Sequence, residues 1–71
     1  MRTVWTSKLD DKYDVFVESE SDPYKGFLVI KDGDKELFRE ETTISFGGPF
    51  GPDMDDVDRW QTKACEVIDL L

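Results

Sequence analysis

The hydrophobic pattern of this chain changes period once. Up to residue 46 apolar and polar side chains alternate in twos, and from residue 54 the apolar ones recur in threes and fours. Alternation is the mark of a half-buried strand, and the 3–4 spacing is that of an amphipathic helix. The first alternating run covers 3–9, with Trp5, Ser7 and Leu9 on one side and Val4 and Thr6 on the other. Asp10-Asp11-Lys12 breaks it as a turn. A second strand over 13–18 sets Tyr13, Val15 and Val17 on one face, with Asp14, Phe16 and Glu18 on the other. After the polar SESDP turn, 24–31 (YKGFLVIK) forms the most apolar strand. Its Phe27-Leu28-Val29-Ile30 is apolar on both faces, which calls for cover on both sides or leaves an exposed patch.

Asp32-Gly33-Asp34 is a hairpin signal, because glycine beside aspartate supplies the positive φ that such turns need. The return strand spans 36–46, with Phe38, Thr42, Ile44 and Phe46 in one alternating set. A helix over 54–70 follows, its stripe made of Val57, Trp60, Ala64, Val67, Ile68 and Leu71. Asp55, Asp58, Arg59, Thr62, Glu66 and Asp69 fall on the opposite side, where Asp55 and Arg59 have the spacing of an acid-first ion pair. The expected fold is therefore α+β, a four-stranded antiparallel meander carrying one C-terminal helix on one face. It occupies residues 1–71 as a single small domain. The expected core is Trp5, Val15, Val17, Phe27, Val29, Phe38, Ile44, Val57, Trp60, Ala64, Val67 and Ile68, with Trp60 as the plug between helix and sheet.

Composition explains how so short a chain closes a core. Nine aromatic residues in 71 each bring a large apolar area, on the order of 150–250 Å² when buried. Charge then narrows the function. Seventeen acids against nine bases leave a formal net charge of −8, with no histidine. Such a field repels nucleic-acid phosphates and anionic lipid head groups, so no direct nucleic-acid or membrane binding is expected and a basic protein partner is favoured. The single cysteine, Cys65, allows no internal disulfide and suits a reducing cytoplasm. On a helix flank it reads as a small buried apolar residue. No apolar run reaches the length of a spanning helix, and the N-terminus has no secretory pattern.

The stretch Ser45–Asp56, SFGGPFGPDMDD, invites a phosphate-loop reading, but it has no GxGxxG and no Gly-Lys-Ser/Thr. Its aspartates occupy the field a phosphate would want. They do not make a calcium loop either, lacking the mid-loop glycine and distal glutamate. A structural reading accounts for each residue: the glycines and prolines form a restricted crossover, Asp53 is the helix cap, and Asp55 and Asp56 complement the helix dipole. Phe50 either packs on the core or stands out as an anchor. Without histidine no imidazole base or Ser-His or Cys-His nucleophile can be assembled, so no enzyme, metal or cofactor is expected.

What remains is surface. Asp10, Asp11, Asp14, Glu18, Glu20 and Asp22 crowd the first hairpin, and Asp53, Asp55, Asp56 and Asp58 crowd the helix start. On one side together they imitate a phosphate array; apart, they are two ordinary acidic turns. The C-terminal third, GPFGPDMDDVDRWQTKACEVIDLL, resembles the ending of short uncharacterised proteins encoded by actinobacterial phages, in which a GP-x-GPD turn leads into a D-V-x-x-W-Q helix. Gly48, Pro49, Gly51, Pro52, Asp53, Asp56, Val57, Trp60 and Gln61 carry that likeness. It implies a source and no chemistry. Size and acidity are similar to phage-encoded inhibitors of host defence, including anti-CRISPR proteins and DNA mimics. The expected function is thus an acidic protein-binding module in a host cytoplasm, occluding a basic nucleic-acid-binding protein. The alternative is a self-associating accessory or virion component, so the chain is expected as a monomer or a homodimer.

Overall fold

A computed structural model describes residues 2–22, 24–45 and 51–71 of the chain. Strands β1 (Arg2–Leu9), β2 (Tyr13–Ser19), β3 (Lys25–Asp32) and β4 (Lys35–Thr43) pair antiparallel in the order β1-β2-β3-β4. Helix α1 (Met54–Asp69) follows. The α+β meander with one C-terminal helix is therefore the architecture, and most boundaries match the periodicity to within a residue. The exception is β4, which ends at Thr43 rather than 46. Ile44 continues past the ladder as a buried residue, its N–H donating to the Tyr24 carbonyl at 2.8 Å. Phe46 and Phe50 lie outside the described residues, and so does the question of where Phe50 points.

Alternation in β2 decides which face is the core. Val15 pairs with Ile30 and Val17 with Leu28, and all four are buried on the helix side with Ile44, Trp60 and Ala64. Trp5, Leu9, Tyr13, Phe38, Val57, Val67 and Ile68 pack around them, half-buried. The Trp60 indole is 1 % exposed and tilts against Trp5 with ring centroids 5.7 Å apart. Its Nε1 donates to Thr42 Oγ1 at 2.9 Å, so the one polar atom of the plug is satisfied where it is buried.

Four expectations need correction. Val29 is fully buried as expected and Phe27 only half-buried, but their register sets both on the face opposite the helix-side cluster. Leu28 and Ile30 take the core positions. The FLVI run is apolar on both faces, so alternation alone could not choose between the two sets. Val4 packs against the core beside Trp5 because the β1–β2 register shifts between Thr3 and Trp5, a bulge that brings consecutive residues toward one side. Leu71, placed in the helical stripe, is 63 % exposed beyond the last turn. Cys65 is exposed rather than buried.

Two turns impose their own backbone chemistry. Asp10 and Asp11 both adopt positive φ, 56° and 52°, and Lys12 N–H closes the turn on the Leu9 carbonyl at 3.1 Å. That conformation matches the right-handed strand twist, and aspartate tolerates it better than most residues. Asp32 pairs with Lys35 across Gly33-Asp34, with Gly33 at φ 62°. Gly26 is constrained by space instead. A Cβ there would stand 2.1 Å from the Glu18 carbonyl oxygen and 3.0 Å from Ile44 Cδ1.

Replacing Trp60 with alanine should cost about 3–5 kcal/mol, most of what a domain of this size holds. Gly26→Ala should cost roughly 1–3 kcal/mol, because the obstructing atom is backbone and cannot swing away. Urea denaturation of both variants checks this, with Gly33→Ala separating a steric cost from a backbone-conformation cost.

Candidate binding surface

A meander places consecutive turns at opposite ends of its sheet, and this fixes where the charges go. The β1–β2 and β3–β4 turns share one end. Lys12 Nζ stands 3.6 Å from Asp32 there, and 5.2 Å above the Tyr13 ring. Tyr13 first, through its phenolate charge, and then Asp32 hold the Lys12 ammonium above its ordinary range. The Asp32 part of this attraction is present at neutral pH and is lost as the ammonium deprotonates at alkaline pH, whereas a phenolate can act only in the alkaline range.

The β2–β3 turn and the helix start share the other end. The Tyr24 carbonyl accepts from Ile44, the Ser45 carbonyl accepts from Asp53 N–H at 2.8 Å, and Asp56 Oδ2 accepts from Ser45 N–H at 2.5 Å. This run of bonds ties the turn to the helix cap. The first-hairpin acids accordingly separate three ways. Asp10 and Asp11 sit at the far end, Asp14 and Glu18 stand on the sheet face away from the helix, and Glu20 and Asp22 join the helix start. Half of the first cluster's turn residues thus meet the second cluster.

The helix-start aspartates are not equivalent. Asp53 is the N-cap, its carboxylate accepting from Asp55 N–H at 3.3 Å. Asp55 and Asp58 are exposed. Asp56 is 3 % exposed, and its two oxygens are both used: Oδ2 by Ser45 and Oδ1 by Arg59 Nη2 at 3.1 Å. The same Arg59 nitrogen donates to the Thr43 carbonyl at 2.9 Å. Arg59 therefore pairs with Asp56 at i,i+3 and not with Asp55 as the i,i+4 spacing had implied. Nothing in a run of similar aspartates marks Asp56 as the buried one. The available signal was its place one residue before Val57 and four before Trp60, toward the apolar stripe.

The acid end therefore presents Glu20, Asp22, Asp53, Asp55 and Asp58, while Asp56 is consumed internally. Among the described residues, two of the four large hydrophobic side chains that stand exposed belong to the same end: Tyr24 at 60 % and Met54 at 78 %. Asp22 shapes this corner, its Oδ1 accepting from Tyr24 N–H at 2.9 Å.

The sheet face away from the helix has a different character. By register its charges are Lys8, Lys25, Lys31 and Arg39 against Asp14, Glu18, Glu36 and Glu41, and they cancel. The whole of the chain's −8 therefore resides elsewhere. Phe16, Phe27 and Val29 occupy its middle, with the Arg39 guanidinium 5.3 Å over the Phe27 ring and bonded to Glu36 at 2.9 Å.

A cleft of about 260 Å³ between β4 and α1 is lined by Glu40, Glu41, Thr42, Arg59, Trp60, Lys63 and Leu28. Its bases are already committed, Arg59 to Asp56 and Thr43, and Lys63 to Glu40 at 3.9 Å. Among the described residues no three metal-ligating side chains come together. Among the described residues no helix is long and apolar enough to cross a membrane. Comparison with protein families, curated proteins and solved structures finds no match to this chain.

Asp56→Ala should destabilise by roughly 2–4 kcal/mol, because it strands a buried N–H and unpairs Arg59. Asp55→Ala, exposed and one position away, should change stability by no more than about 0.5 kcal/mol. Thermal melts of the two variants side by side check the distinction.

Proposed function

We propose that this chain is a small acidic binding module that occludes a basic, nucleic-acid-binding protein, acting in the cytoplasm of a bacterial host and encoded by a phage. The observation that carries the reading is the acid end. Five carboxylates from two separate segments lie at that end, outnumbering its bases Arg2 and Lys25 while Arg59 is taken by Asp56, and exposed Tyr24 and Met54 stand beside them. Carboxylates steer the encounter with a basic surface, and an aromatic and a methionine supply the apolar contact that anchors it. Occlusion then needs no catalysis, which agrees with a chain that lacks histidine and keeps its lone thiol on an exposed helix flank. The phage source rests on the GPFGPD…DVDRWQ ending.

The test is retention of bacterial lysate proteins on the immobilised chain. Basic proteins should bind at low salt and be displaced by duplex DNA, and affinity should fall roughly tenfold or more between ~50 and ~200 mM salt. A variant with Glu20, Asp22, Asp55 and Asp58 changed to their amides should lose that retention while remaining folded. Retention of no basic protein at low salt, or equal retention by the amide variant, contradicts the proposal.

A further inference from the structure

We infer that the sheet face away from the helix is a docking surface for a second copy of this chain, packed face to face about a twofold axis that runs along the strands between β2 and β3. The argument is one of charge order. Lys8, Asp14, Lys31 and Glu36 lie in one cross-strand row, reading plus, minus, plus, minus from β1 to β4. A twofold along the strands reverses strand order, so each copy's β1 lies over the partner's β4 and its β2 over the partner's β3. Lys8 then meets Glu36 and Asp14 meets Lys31, so that each charge of this row lies opposite its complement, while Glu18 falls over Phe27 and Glu41 over Thr3. The next row sets the half-buried Phe16 over Val29, which is already fully buried within its own copy, and Thr6 over Arg39, so the apolar contact comes from the Phe16 and Phe27 rings.

The rest of the molecule selects the same face. Two copies that each carry −8 repel through any acidic surface, and here the charges sum to zero. Packed sheets rotate by about 30° relative to one another, an offset that long lysine and glutamate side chains at the edge strands can span. Four strands at ~4.8 Å spacing and about seven residues at ~3.3 Å give a face of roughly 450 Å² in projection, the low end for a specific interface. Association is therefore weak and concentration-dependent. It does not involve the acid end, so it holds or fails separately from the function proposed above.

Sedimentation of the native chain from ~10 μM to about 1 mM should show reversible dimerisation. Lys8→Glu and Glu36→Lys should each weaken it roughly tenfold, because each variant sets like charges opposite each other twice per dimer. An equimolar mixture of the two variants should recover near-native association, since every pair in the mixed dimer is again opposite in sign. Lys8 and Glu36 lie on the two outermost strands, three strand spacings apart, so recovery on mixing can only arise between copies. A native chain that stays monomeric throughout overturns the proposal and leaves the face to a foreign partner. So does dimerisation that both variants retain, or that mixing fails to restore.

Discussion

The Trp60 indole is the contact on which the rest of this structure depends. A four-stranded meander has no second layer of its own, and its helix-side face of Val15, Val17, Leu28 and Ile30 is worth nothing to folding until something covers it. Trp60 does so with the largest fully buried side chain of the core, and Thr42 Oγ1 takes its N–H. The same turn of helix carries Asp56 and Arg59, which grip Ser45 and Thr43 at the point where β4 ends. Apolar plug and polar clamp are thus fixed to the same few residues of the sheet. The helix cannot shift along the sheet without breaking both, and its position sets where the acid end falls.

That dependence links fold to surface. Asp53 must cap the helix and Asp56 must hold Ser45, so the crossover delivers the remaining aspartates to the end where Glu20 and Asp22 already stand. The acid end is in this sense a consequence of how the helix is anchored. The sheet face opposite answers to a separate constraint. It is not covered by the helix, and it carries alternating charge around Phe16, Phe27 and Val29 rather than a uniform polar surface.

Much of this was legible in the residues themselves. Periods of two and of 3–4 gave four strands and a helix, and the Asp53 cap and the Trp60 plug followed from type and position alone. The failures have physical causes. Leu28 and Ile30 were missed as the helix-side pair, in place of Phe27 and Val29, because an unbroken FLVI run has no polar residue to set its phase. Val4 was misplaced because a bulge interrupts alternation without any glycine or proline to announce it. Asp56 was indistinguishable from its neighbours because charge does not reveal burial; only the helix angle relative to Trp60 does. The division of the first acidic cluster was invisible because it follows from sheet topology, which sends consecutive turns to opposite ends. The charge order of the open face needs cross-strand register, which the sequence does not show because the β3–β4 pairing skips Leu37, setting Phe38 opposite Ile30 and Glu36 opposite Lys31.

The central claim is that this acidic chain divides its surface into an acid end and a charge-balanced sheet face. Paramagnetic relaxation of backbone amides by a cationic and an anionic nitroxide of equal size measures that division directly, residue by residue. The account predicts strong preference for the cation near Tyr24 and across Asp53–Asp58, and nearly equal relaxation by the two probes at Phe16, Val29 and Lys31. A uniformly negative response over both regions would contradict it.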